Sequence, residues 1–107
     1  MSLEMLAQRT RQLLQEDDSL TDANECRNSI PKLTSKLKAE FPQVKFEYLV
    51  YPRAKGGNGV HYALSATNGS DELLINPVSA PGFPQFIGKT SQAIPTLSLM
   101  KKAPEVK

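Results

Sequence analysis

Three residues of this chain could cooperate in nucleophilic catalysis, and they occur in the order Cys26, His61, Asn76. Cys26 lies in a stretch with helical periodicity, while His61 begins one strand-like stretch and Asn76 ends the next. The chain has no second cysteine and no second histidine. In thiol catalysis a thiolate attacks a carbonyl carbon, an imidazole moves the proton, and a third polar group orients the imidazole. We therefore hypothesise a Cys-His-Asn catalytic triad.

Two helices are predicted before the strands. Apolar residues recur at helical spacing over residues 3–16. A second apolar stripe starts at Cys26 and continues through Ile30, Leu33, Leu37 and Phe41. Thr21 suits the N-cap of this second helix. Pro31 predicts either a kink in the helix or a short turn before a new helix that begins near Ser29.

Three strands are predicted after the helices, over residues 44–51, 60–67 and 70–78. The remainder, residues 79–107, is rich in Pro and Gly at its start, and its last residues, 101–107, are expected to fray. A helical part over residues 3–41, followed by an antiparallel sheet over residues 44–78, defines the α+β class. A chain of 107 residues favours a single domain over residues 1–107.

The dipeptide Asn68-Gly69 between the last two predicted strands is a strong hairpin signal, and it predicts how those strands pair. A two-residue loop at Asn68-Gly69 places His61 directly opposite Asn76. A four-residue loop pairs Asn76 with Ala63 and makes His61 a diagonal neighbour of Asn76. Both arrangements put His61 and Asn76 on one face of the sheet, and only an odd loop or a bulge would put them on opposite faces. The thiol of Cys26 reaches the imidazole if its helix covers that same face, which the sequence does not determine.

The motifs around these residues resemble those of the papain-like superfamily. They are a helix-borne Cys26, then Gly-Val-His-Tyr-Ala-Leu around His61, then Leu-Leu-Ile-Asn-Pro ending at Pro77. The compact members of this superfamily include transglutaminase-like and NlpC-like domains and papain-fold toxin domains of bacterial polymorphic toxin systems. The resemblance extends from about residue 24 to about residue 84.

The resemblance implies a papain-like core in which helices pack on a small antiparallel sheet. Cys26 would be the nucleophile, His61 the base and Asn76 the orienting residue, with Asn24 as a candidate oxyanion donor. The implied chemistry is amide hydrolysis or acyl transfer, as in a peptidase, a glutamine deamidase or a transglutaminase-like enzyme. The resemblance also implies a toxin or effector module that acts on a protein or peptide substrate.

The charge distribution leaves an alternative function open. Residues 1–31 carry a net charge of −3, whereas residues 32–55 carry +4. This basic stretch is either a solvated helix face or the docking surface of a non-catalytic interaction or immunity-type protein of the same fold. Nucleic-acid binding is a weaker third interpretation, because few aromatic residues accompany the basic residues of this stretch.

The composition also bears on location and cofactors. No apolar run approaches the roughly 18 residues of a membrane span, and the N-terminus has no signal-peptide core. We therefore expect a cytoplasmic chain without membrane contact, or a secreted one if it is an effector module. One cysteine and one histidine are too few for a zinc site, so neither a metal nor another cofactor is expected. The oligomeric state stays open.

Overall fold

A computed structural model of the protein describes residues 3–17, 20, 26–51, 61–69, 71–77, 85–92 and 101–103, with backbone only for residues 26–28, 51 and 103. Two helices pack on a five-stranded antiparallel sheet, which confirms the α+β class. The elements are α1 (Leu3–Glu16), α2 (Cys26–Glu40), β1 (Lys45–Tyr51), β2 (His61–Asn68), β3 (Asp71–Asn76), β4 (Phe86–Lys89) and β5 (Lys101–Ala103). The strand order is β4-β3-β2-β1-β5.

The second helix runs without interruption from Cys26 to Glu40 and contains Pro31. The alternative of a new helix starting near Ser29 is therefore wrong. A proline inside a helix removes one backbone hydrogen bond, but the adjacent Ile30 and Leu33 are fully buried and their burial offsets that loss. The proposed N-cap, Thr21, lies outside the described residues.

Two strands form where the sequence predicted none. β4 pairs with β3, and β5 pairs with β1, although both strands lie in the segment 79–107. The expectation that the last residues fray is thus wrong for Lys101–Ala103. β4 has four residues and β5 has three, too few for an alternating pattern to be recognised. Their position depends on pairing with distant strands.

The hairpin between β2 and β3 is present, but its loop lies one residue later than the two-residue prediction. Asn68 still pairs with Asp71, so only positions 69 and 70 connect the strands. Gly69 has a φ of 65°, in the left-handed region that glycine adopts at the first position of such loops. This register puts Ala63 opposite Asn76, which corresponds to the diagonal alternative for His61.

Replacing Gly69 by alanine is expected to lower the free energy of unfolding by about 1–2 kcal/mol, because a Cβ is strained at positive φ. Urea unfolding of the variant measures this cost. Gly69→Asn is the matched control, since asparagine tolerates the left-handed region, and its cost should be smaller. Equal stability of Gly69→Ala and the unmodified chain would contradict the assigned turn.

One face of the sheet carries the main core. The helices α1 and α2 bury apolar side chains against Leu64, Ala66, Leu73 and Ile75. Successive residues of a strand point to opposite faces. His61, Ala63 and Asn76 therefore lie on the face opposite the helices.

Candidate active site

His61 and Asn76 form a direct hydrogen bond. The distance from His61 Nε2 to Asn76 Oδ1 is 2.7 Å. Both side chains are buried, with 3% of His61 and 0% of Asn76 exposed. His61 is the first residue of β2 and Asn76 the last residue of β3, so neighbouring strands position both. The structure thus brings together the second and third members of the predicted triad.

The hydrogen bond determines which imidazole nitrogen carries the proton. An amide oxygen only accepts, so Nε2–H of His61 donates to Asn76. In the neutral ring the lone pair then lies on Nδ1. Burial lowers the pKa of His61, and the hydrogen bond to Asn76 raises it by a smaller amount. His61 is therefore neutral at pH 7, in the state that a general base requires.

The lowered pKa of His61 predicts a pH-dependent stability. The folded state disfavours the imidazolium form of His61. The stability that neutral His61 contributes is therefore fully present above the unfolded pKa of about 6.5, and it is lost as the pH falls toward the folded pKa. We expect the free energy of unfolding to fall by up to about 1.4 kcal/mol per pH unit below pH ~6.5. Urea unfolding at several pH values measures the slope.

His61→Phe is the matched control for this slope. Because the chain contains no other histidine, the variant should remove the dependence in that window. The same slope in His61→Phe would contradict the assignment. Glu72 titrates in a separate, more acidic window, since its pKa is lowered by a hydrogen bond from Ser65.

The lengths of α2 and β1 predict that Cys26 lies at the same end of the sheet as His61. Only residues 41–44 connect α2 to β1, so the helix runs back along the sheet in the direction opposite to β1. A helix of 15 residues and a strand of 7 residues are both about 22 Å long. We therefore expect the backbone of Cys26 to lie near the level of Tyr51, which pairs with His61.

The helix does not cover the face on which His61 lies. Leu33 and Leu37 of α2 pack with Leu64, which points away from the His61 face. The assumption that the Cys26 helix lies over His61 is therefore wrong. A contact between the thiol and the imidazole would have to form around the end of the sheet. The side chain of Cys26 and the oxyanion candidate Asn24 lie outside what the structure describes.

A second polar cluster lies at the far end of the His61 face, and the residue patterns of the sequence did not reveal it. Ser65 Oγ donates to Glu72 Oε2 at 2.7 Å, and Thr90 Oγ1 donates to Glu72 Oε1 at 2.9 Å. Lys102 Nζ lies 3.0 Å from Glu47 Oε1 and 4.0 Å from Glu72 Oε2. Ser65 and Glu72 have the same diagonal relation across β2 and β3 as His61 and Asn76. Either hairpin register would have put Ser65 and Glu72 on one face, whereas Thr90 and Lys102 lie in the segment 79–107, where no strand was predicted.

The basic stretch is partly neutralised by neighbouring acids. Lys32 Nζ lies 3.0 Å from Asp17 Oδ2, and Lys45 Nζ lies 3.9 Å from Glu47 Oε1. Arg53 and Lys55 lie outside the described residues. Lys32 and Lys45 of this stretch therefore form ion pairs on the surface of the protein.

Two clefts of the described region lie away from His61 and Asn76. A cleft of about 800 Å³ is lined by α1 and by the β3–β4 edge, including Arg11, Asp71 and Lys89. A neighbouring cleft of about 460 Å³ lies beside Phe86. Arg11 lines both clefts and donates to the carbonyl oxygen of Ile87 at 2.9 Å. Neither cleft is lined by His61 or Asn76.

No group of three or more His, Cys, Asp or Glu side chains in the described part of the chain could hold a metal ion. None of the described helices has both the length and the apolar character of a membrane span.

Comparisons of the chain with protein-family models, curated proteins and solved structures find no match. The resemblance to the papain-like superfamily therefore stays a prediction.

Proposed function

We propose that this chain is a cysteine-dependent amide hydrolase or acyltransferase. The observation that carries the proposal is the buried 2.7 Å hydrogen bond between His61 Nε2 and Asn76 Oδ1. It holds the imidazole in one tautomer, with Nδ1 as the basic nitrogen. Cys26 supplies the nucleophile, and its position as the first residue of α2 is one where the helix dipole lowers a thiol pKa.

In the proposed reaction, Nδ1 of His61 takes the proton of the Cys26 thiol as sulfur attacks the carbonyl carbon of an amide. The C–N bond breaks, the amine leaves with that proton, and a thioester remains on Cys26. Water or a primary amine then attacks the thioester, giving up a proton to His61 while the C–S bond breaks. Asn76 keeps the ring oriented throughout. This scheme requires the thiol to reach Nδ1 around the end of the sheet.

An assay on a generic protein substrate tests the proposal. The purified chain is incubated with a denatured, glutamine-rich protein, with and without a primary amine. Release of ammonia indicates deamidation, new amino termini indicate peptide hydrolysis, and amine incorporation indicates acyl transfer. Cys26→Ala is the control. Activity that survives in Cys26→Ala contradicts a cysteine mechanism, and growth arrest on expression of the unmodified chain alone would support a toxin role.

A non-catalytic interaction or immunity-type function is the second candidate. The near-complete burial of His61 and Asn76 favours it, because a buried, satisfied polar pair also serves as a structural element. In that case the exposed lysines of the basic stretch would contact an acidic partner. Loss of partner binding on Lys36→Glu, with no change on Cys26→Ala, would identify this function.

A further inference from the structure

The edge strand β4 directs backbone groups away from the sheet. Asn68 and Asp71 close the two-residue loop as a hydrogen-bonded pair, and the direction of the amide groups alternates from residue to residue along β3. Leu74, three positions after Asp71, therefore directs its amide groups to β4. By the same alternation, the amide groups of Ile87 and Lys89 point away from β3. Among the described strands, β4 has no neighbour on that side.

A hydrogen bond from α1 agrees with this direction. Arg11 Nη2 donates to the carbonyl oxygen of Ile87 at 2.9 Å. A carbonyl oxygen has two lone pairs, so that of Ile87 can accept a second hydrogen bond. A charged side chain at a sheet edge also disfavours indiscriminate strand pairing. The edge is therefore able to take another strand, but a selected one.

The two clefts beside β4 have the dimensions of an extended peptide. Both are lined by Arg11 and Ile87. Their other wall is one face of α1, which carries Leu3, Ala7 and Leu14 besides Arg11. The helix is about 17 Å long between Leu3 and Leu14. An extended segment of about five residues covers that length.

Arg11 brings a positive charge to these clefts. Its side chain is exposed, and in the described part of the chain it forms no ion pair. Arg9 of the same helix differs, because its Nε lies 2.8 Å from Glu40 Oε1. A guanidinium has five N–H donors, whose geometry matches a carboxylate. Arg11 is therefore able to bind a carboxylate while it keeps its bond to the backbone of β4.

The acidic residues of the larger cleft lie away from Arg11. Glu4 is about two helical turns earlier in α1. Asp71 is four residues before Ile75, the partner of Ile87, and so about 13 Å along the strand. The preference for a carboxylate is thus confined to the part of the clefts near Arg11.

We propose that β4 and α1 form a docking groove for an extended peptide segment of a partner protein, which adds a strand to β4 and binds Arg11 through a carboxylate side chain. Hydrogen bonds to the backbone of Ile87 and Lys89 supply affinity for any extended chain, and Arg11 supplies the preference for an acidic one. Neither His61 nor Asn76 lines this groove, so docking is separate from the proposed reaction.

Fluorescence anisotropy of two labelled peptides tests the carboxylate preference in the full chain. Both have about eight residues of alternating threonine and valine, enough to exceed the length of the groove, and differ only in a central glutamate or glutamine. We expect the glutamate peptide to bind about tenfold more tightly, the effect of one hydrogen bond to a charged group. Arg11→Gln should abolish this difference. Arg9→Gln is the matched control and should keep it.

A proline at position 89 tests strand addition. An edge strand tolerates proline where the missing N–H faces outward, so Lys89→Pro should melt at the same temperature as Lys89→Ala. Lys89→Ala also lacks the lysine side chain but keeps the N–H. We expect Lys89→Pro to bind the glutamate peptide about fivefold more weakly than Lys89→Ala, because one backbone hydrogen bond to the added strand is lost.

Three results would overturn the inference. The first is that neither peptide binds, or that the unmodified chain binds both equally. The second is equal affinity of the two folded Lys89 variants; if Lys89→Pro does not fold, the peptide comparison in Arg11→Gln decides alone. The third is a dimer, seen by light scattering, that Lys89→Pro converts to a monomer, because β4 would then pair with a second copy of this chain.

Discussion

Asn76→Leu is expected to lower the free energy of unfolding by about 1–3 kcal/mol, the cost of leaving a buried donor without its acceptor. The variant removes the oxygen that accepts from His61 Nε2 while keeping an apolar side chain of similar size. It should also lower the pKa of His61 further, because this hydrogen bond favours the charged imidazole. Urea unfolding and an NMR titration of the imidazole measure the two effects.

A double-mutant cycle isolates the pair itself. His61→Phe removes the donor, and in the combined variant His61→Phe/Asn76→Leu both partners are apolar, so most of the lost stability should return. Ser65→Ala is a matched control, because it removes the donor of another diagonal pair on the same face, Ser65 and Glu72. In this variant Glu72 still accepts a hydrogen bond from Thr90. Strictly additive effects of the two single substitutions would contradict a coupled pair.

The second large effect concerns turnover. His61→Ala is expected to lower the rate of amide turnover by about 10²–10⁴-fold, the usual contribution of a general base. Asn76→Leu should lower it by a smaller factor, since it disorders the base without removing it. Turnover of the glutamine-rich protein, followed by ammonia release, measures both changes.

Glu72→Gln serves as the control for turnover. Glu72 lies on the same face as His61 but belongs to the cluster with Ser65 and Thr90 at the other end of the sheet. We expect the turnover rate of Glu72→Gln to stay within about twofold of the rate of the unmodified chain, because the substitution changes a charge outside the site. Full activity of His61→Ala would contradict the role of the imidazole.

Local patterns sufficed for the elements with many residues. The apolar spacing over residues 3–16 predicts a helix that coincides with α1, Leu3–Glu16. The alternation in β1 to β3 predicts which residues share a face, and Leu64, Leu73 and Ile75 belong to one core cluster, in agreement with it. The same alternation predicts that His61 and Asn76 meet, because a two-residue loop and a four-residue loop both put them on one side of the sheet, and only an odd loop or a bulge would separate them.

Other features depend on interactions that a local pattern does not contain. The hairpin register required knowing that Gly69, with its positive φ, takes the first loop position and leaves Asn68 in the strand. β4 and β5 are too short to have a period and exist through pairing with β3 and β1.

The side of the sheet on which α2 packs is determined by packing across the whole hydrophobic core. The sequence of α2 alone does not determine which face of the sheet Leu33 and Leu37 cover. They pack on Leu64 and Ala66, away from His61. The sequence therefore predicts the His61–Asn76 pair and leaves the approach of Cys26 undetermined.

The central claim is that the thiol of Cys26 and the imidazole of His61 act together, and the most direct measurement is the alkylation rate of Cys26 as a function of pH. In the unmodified chain we expect a midpoint well below the ordinary thiol pKa of about 8.5. In His61→Ala the midpoint should return toward that value. A thiol that reacts only after unfolding, or whose midpoint is the same in both proteins, would contradict the catalytic account and favour the interaction protein.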